Sequence, residues 1–288
     1  MEMVYKKDPV PFLLFSPLIA YLILFMGIPL IQTFILAFTS PQGPWGNFER
    51  LVRSGEFWVT LQNTLVITGI IVPLQLILGL ALALFVNQRF KGYLFILYII
   101  AIPLALSDVS ASLMSYTVFG YSGLLNKALV MTGLIEFPMY FLGRHVQDRA
   151  FWVIIITEIW RATPLVFVIL LAGLQAVNKE YLEAADIFGF SKWKKFTRII
   201  LPVLRPSMMA ALLIRTLFAF QIFGVVWVLN DRGIPVMAGE AYYYQTQLHN
   251  PNMASAYGLM IALVSVIISW LYLVFFRPKK YEERGGLA

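Results

Sequence analysis

Ionisable side chains set inside long apolar runs are the residues here whose chemistry needs a reason, because a charge at such a place is costly unless it has a partner or faces water. Glu158 and Arg161 stand three apart in one such run, on one helical face, with Leu165 a turn further along. Thr163 and Pro164 follow, where a proline removes a backbone hydrogen bond and opens a local kink. In a later run Arg215, Phe218, Gln221 or Ile222, and Val225 recur at helical spacing. An arginine, an aromatic ring and an amide on one stripe suit a path for a polyhydroxyl solute: the ring stacks on a sugar face and the polar groups bond hydroxyls. The competing reading is structural, with Glu158 and Arg161 neutralising each other and Arg215 paired with Asp108 or Glu158 in a packed bundle.

Enzymatic chemistry finds little support. There is no cysteine, so disulfides and thiolate metal sites are excluded; the two histidines, His145 and His249, lie in different segments and are too few for a metal site. Neither a phosphate-binding GxxxxGK[ST] nor the paired aspartates of a membrane transferase occurs, so no ATP hydrolysis is expected on this chain.

The elements that position these residues can be read from composition. The 288 residues are 60% hydrophobic and 13% charged, against about a quarter charged in soluble domains. The chain reads as an all-α, polytopic membrane protein. Six runs reach the roughly 20 residues that a helix needs to cross a hydrocarbon core: Pro11–Phe38, Thr64–Val86, Tyr93–Phe119, Phe151–Gln175, Met208–Leu229 and Ala256–Phe276. Residues 1–288 are expected to form a single transmembrane domain. Lys6 and Lys7 before the first run would suit a signal peptide, but its apolar stretch is far longer than a signal core. Fourteen of the 22 Lys and Arg fall in the termini and in the segments around Arg89 and Lys192–Arg205, and six in the opposite set. The positive excess marks the cytoplasmic side, so both termini and the 177–205 loop are expected inside a cell membrane. The opposite segments, Thr39–Asn63, Gly120–Ala150 and Asn230–Ser255, carry aromatic and turn residues that suit a membrane interface or the reception of a partner protein.

Glu183–Pro202, EAADIFGFSKWKKFTRIILP, is the exception among these apolar stretches. A short helix over about Val177–Phe188 is expected, with Asn178 as its cap and Glu180, Glu183 and Asp186 suiting its dipole. Gly189 ends it, Ser191 caps a second helix with an aromatic and a basic face, and Pro202 closes that one. Two capped helices about a glycine make a docking surface. The spacing of Glu183, Ala184, Ala185, Gly189, Ile199, Leu201 and Pro202 resembles the EAA loop of the permeases of ABC importers. The resemblance implies a type I importer permease fold, with Glu183, Ala184, Ala185, Asp186 and Gly189 in a coupling helix seated in a cytoplasmic ATPase subunit.

Further residues resemble the sugar-importing branch of that family, with maltose, trehalose and glycerol-phosphate permeases: Gly123–Asn126, Trp160 with Thr163 and Pro164, Ala172–Gln175, and Leu213–Phe223. This second resemblance implies a first-type permease subunit that moves a sugar or oligosaccharide delivered by an extracellular or periplasmic binding protein. It would pair with a second permease and with two ATPase subunits, which hold the ATP and Mg; no cofactor is expected on this chain. Its solute path would be built by Arg161, Thr163, Pro164, Leu165, Arg215, Phe218 and Gln221. Competing readings are an ABC permease for a polyol phosphate or an amino acid, and a secondary carrier.

Overall fold

In the computed structural model, which describes residues 10–275, every regular element is helical. Helix α1 (Val10–Leu22) passes through a π turn, Ile23–Gly27, into α2 (Ile28–Ala37), and α3 (Gly46–Arg53) precedes the long α4 (Gly55–Val86). Next come α5 (Tyr93–Ala101), a 3-10 turn at Ile102–Ala105, α6 (Asp108–Phe119), α7 (Leu124–Met131) and α8 (Gln147–Gln175). Helices α9 (Lys179–Ile187) and α10 (Lys192–Lys195) come after these, and α10 continues through a π turn, Phe196–Ile200, into α11 (Leu201–Phe220). The described residues end with α12 (Gly224–Asn230), α13 (Met237–Thr246) and α14 (Pro251–Phe275).

Two compact units divide these elements. The first holds the described residues up to Ser54 together with Ala241–Met260. Within it the buried Asn47 amide donates to the carbonyls of Ala37 (3.0 Å) and Thr39 (2.9 Å), which satisfies orphan acceptors at the end of α2 and fastens α3 there. The second unit holds Gly55–Glu240 and the described residues from Ile261. Its centre is the mutual packing of α4, α8 and α11. Lipid chains are as apolar as leucine, so helices in a bilayer associate by close fit rather than by leaving water, and small residues let backbones approach. Gly79 and Gly173 do this here. A Cβ on Gly79 would lie 2.8 Å from Val166 of α8, and one on Gly173 2.3 Å from the Ser207 hydroxyl of α11.

Among the described residues, five helices are long and apolar enough to cross a membrane: Leu14–Ala37, Gly55–Val86, Gln147–Gln175, Lys192–Phe220 and Pro251–Val274. Tyr93–Ala105 and Asp108–Met131, bent by 104°, make a sixth if they count as one. Three boundaries run further than the apolar runs suggested, because polar turns extend the helices at Gly55, Gln147 and Pro251. The expected end of the last run, Phe276, lies outside the described residues.

Two expected spans are broken. Tyr93–Phe119 is not one helix: Pro103 sits in the 3-10 turn, and Ser107 starts α6 afresh by accepting from the Ser110 amide (3.1 Å). Met208–Leu229 is not one helix either. Its helix stops at Phe220, Gln221 and Phe223 leave helical geometry, and α12 resumes at Gly224. The breaks meet each other, since a Cβ on Gly224 would lie 2.8 Å from the Asp108 Cβ. Pro202 also departs from expectation: it does not close the helix that starts at Lys192, which runs on to Phe220. Each π turn ends two residues before a proline, Pro29 or Pro202, and each is closed by an amide bonding five residues back, Ile28 to Ile23 and Leu201 to Phe196. The wider turn moves the carbonyl that the proline ring would crowd, so the helix bends instead of ending.

Candidate functional site

At the centre of the second unit the apolar packing gives way to charge. Glu158 and Arg215, 1% and 2% exposed, meet across α8 and α11, with Arg215 Nη2 donating to Glu158 Oε1 at 2.5 Å. Arg161 donates to the same carboxylate twice, Nη2 to Oε1 at 2.8 Å and Nε to Oε2 at 3.1 Å. Its Nη1 lies 2.9 Å from Asp108 Oδ1. Gln75 of α4, fully buried, closes the group: its Oε1 accepts from Arg215 Nε (2.5 Å), and its Nε2 donates to the Glu158 carbonyl (2.8 Å). Two carboxylates face two guanidiniums, so the network is neutral, and four helices contribute to it. Such mutual pairing is what makes buried charge tolerable in a membrane.

The residues expected to line a path separate into two environments. Arg161 and Arg215 belong to the ion network. Thr163 is buried and its hydroxyl is taken by the Ile159 carbonyl (2.5 Å), a back-bond beside the kinking Pro164. Thr163 and Pro164 also line an apolar recess of about 340 Å³ with Leu78, Leu82, Ile99, Ile100, Pro103, Ile159 and Trp160. Leu165 is half-buried. Phe218 is 55% exposed and Gln221 is exposed beyond the end of α11. Arg215 is buried in the bundle whereas Phe218, three residues on in the same helix, is exposed. The break after Phe220 removes Gln221, and not Phe218, from the helical stripe.

The polar segment after α8 has the local structure that its sequence implies. Asn178 caps α9 by accepting from the Glu180 amide (3.0 Å), and Ser191 caps α10 by accepting from Lys194 (3.3 Å). Gly189 adopts φ +68°, with its amide and that of Phe190 closing on the carbonyls of Asp186 and Ala185. Asp186 pairs with Lys195 at 2.6 Å, and Lys194 sits 4.2 Å over the Phe190 ring. Of the residues singled out there, Ala185 packs inward; Glu183, Ala184, Asp186 and Gly189 are exposed. Ile187, Phe188 and Trp193 are 86%, 79% and 72% exposed, so among the described residues a capped helix pair leaves large apolar groups largely uncovered, with Trp193 tilted against Phe196.

Two further polar groups were legible only in part. Gln75 stands in an apolar run as its single amide, a signal of interior pairing that spacing alone does not resolve. Arg232, which charge counting places in a loop, is clasped by Glu240 (2.8 and 2.9 Å) and by Glu56 (2.5 Å). Burial pushes the Glu240 carboxyl above its ordinary range, while the bond and charge of Arg232 pull it back. Asn126, within the Gly123–Asn126 motif, is a structural hub: its amide donates to the carbonyls of Gly120, Tyr121 and Met139 and accepts from the Met139 amide.

Residues 75–280 match the family described as the binding-protein-dependent transport system inner membrane component. The chain belongs to this family. Its place there is as a membrane component of a transport system rather than as an enzyme. It is 32% identical over 238 residues to the trehalose/maltose transport system permease protein MalF of Thermococcus litoralis, covering 80% of this chain and 79% of that one. To the sulfoquinovosyl glycerol transport system permease protein SmoG of Agrobacterium fabrum it is also 32% identical, with 81% and 76% covered. The lactose transport system permease protein LacF of Rhizobium radiobacter is 27% identical over 92% of this chain and 93% of its own. A crystal structure of a bacterial ABC transporter involved in the import of the acidic polysaccharide alginate shares the fold, with a TM-score of 0.84 at 24% identity over 94% of this chain and 96% of that one.

Proposed function

We propose that this chain is a membrane-spanning permease subunit of an ATP-driven importer that brings a sugar or oligosaccharide into the cytoplasm. The observation that carries the reading is the 177–205 segment: two capped helices about a left-handed glycine, with Ile187 and Phe188 bare. A chain in a binding-protein-dependent family has a use for such a surface in docking an ATPase subunit. Membership of the family and the sugar-transport names of MalF and LacF support the solute class.

In this reading Glu183–Gly189 is the coupling helix, on the cytoplasmic side with both termini, and ATP and Mg are held by two ATPase subunits. A second permease completes the path, and a solute-binding protein delivers the sugar on the opposite face. Phe218 and Gln221, open on the surface beside the ion network, take the sugar ring and its hydroxyls. Co-expression of the chain with the ATPase and second permease encoded beside it tests the docking. The ATPase co-purifies with the parent chain and is lost on substituting Ile187 and Phe188 together by aspartate. Retention of the ATPase by that variant contradicts the assignment of the surface.

A further inference from the structure

Asp108 differs from every other member of the ion network in standing open. Its side chain is 44% exposed, against 19% for Arg161, 2% for Arg215 and 1% for Glu158. Oδ1 is the oxygen that lies 2.9 Å from Arg161 Nη1, whereas Oδ2 accepts no hydrogen bond among the described residues. The position is deep in the membrane. Asp108 pairs with Arg161, the middle residue of the 29-residue α8. Tyr93–Ala105 brings the chain to it over about 20 Å at the helical rise, short of the roughly 30 Å of a hydrocarbon core. A carboxylate at that depth faces the bundle interior or a water-filled path rather than lipid.

What the network shows to that path is an acceptor and no cation. All three guanidinium nitrogens of Arg161 lie against carboxylate oxygens, and Arg215 is buried between Glu158 and Gln75. The start of α6 is no anion site either, because Ser107 caps it and Asp108 is its first residue. Gly224 lies close against the Asp108 Cβ, where any side chain at 224 would collide with it.

We propose that Asp108 sets the charge specificity of the path: its free carboxylate oxygen accepts from the hydroxyls of uncharged sugars and repels anionic ones. This rests on the sugar-import reading above and narrows it. Relatives named for trehalose and maltose and for sulfoquinovosyl glycerol, a sulfonate, stand at the same 32% identity, so resemblance does not choose between the classes.

The test uses the whole transporter in nanodiscs, without binding protein, so that only the path selects. Equilibrium binding of radiolabelled maltose, lactose and trehalose is compared with that of maltobionate, lactobionate and trehalose 6-phosphate. The parent prefers the uncharged member of a pair by roughly tenfold or more, and Asp108→Asn, which leaves Arg161 with excess charge, narrows that ratio by a similar factor. Asp108→Glu keeps the parental ratio. An unchanged ratio in Asp108→Asn overturns the proposal. So does loss of the second permease from Asp108→Asn with recovery in Asp108→Glu, which would make the carboxylate a subunit contact. A parent that binds none of the three neutral sugars contradicts the sugar reading itself, and the assignment of Asp108 goes with it.

Discussion

Glu158 and Arg215, 57 residues apart on α8 and α11, meet at 2.5 Å with both side chains closed off from solvent. Their contact makes the central charges of this bundle part of its architecture. Removing one partner of a buried pair strands the other, which costs about 3–5 kcal/mol. Glu158→Ala leaves two guanidiniums facing each other, and is expected to lower the yield and melting temperature of the detergent-solubilised complex rather than to change which solute it carries. Parental yield and melting temperature for this variant would show that the pair is dispensable.

Phe218 and Gln221 behave differently because they are open. Phe218→Ala and Gln221→Leu are expected to leave assembly intact and reduce sugar uptake, since a site that loses a group bonding a hydroxyl discriminates less well by roughly 1–3 kcal/mol. Complex yield and uptake rate, measured separately, decide this. If both variants transport like the parent, the solute does not touch this surface.

In the 177–205 segment the strain is conformational and not steric. A Cβ on Gly189 meets nothing within 4 Å, but the φ of +68° suits glycine and disfavours other residues by roughly 1–2 kcal/mol, most for a β-branched one. Gly189→Val is expected to misdirect α9 and Glu183→Lys to oppose its dipole. Both should fold and leave solute-stimulated ATP hydrolysis uncoupled from uptake. A parental ratio of solute moved to ATP hydrolysed in both variants would contradict a coupling role.

Two glycines make a paired test of the packing. Gly173→Val drives a side chain into Ser207 and Leu204, where overpacking costs about 1–3 kcal/mol. Gly69, inside α4, has nothing within 4 Å of its missing Cβ, so Gly69→Ala is expected to be neutral or to stabilise by up to about 1 kcal/mol. Thermal melts of the two variants should therefore move in different directions, and a similar fall in both would show that α8 and α11 do not depend on the close approach.

The fold class and the local structure of the 177–205 helix pair were largely legible in the sequence, for a physical reason. Long apolar runs have few structural outcomes, and Asn178, Gly189 and Ser191 act on their own neighbours, so local chemistry suffices. The breaks after Ala105 and Phe220 were not read from the sequence, because each falls inside a continuous apolar run; Pro103 and the Ser107 cap mark the first locally, and the two breaks pack together where Gly224 meets Asp108. Reading through the second break is also what placed Gln221 on one helical stripe with Arg215 and Phe218. Pro202 misled in the opposite direction, since nothing in the sequence signals the π turn that lets the helix pass it. The pairing of Glu158 with Arg161 was readable from their spacing, whereas the tie from Gln75 to Arg215 joins helices 140 residues apart.

Reconstitution tests the central claim most directly. The chain is placed in proteoliposomes with the second permease, ATPase and binding protein encoded beside it, and entry of radiolabelled sugar is followed with ATP and Mg on the ATPase side. The account predicts accumulation that needs ATP, the binding protein and every subunit, and that is lost in the Gly189→Val variant. Accumulation by this chain alone, driven by an ion gradient and indifferent to ATP, would contradict it.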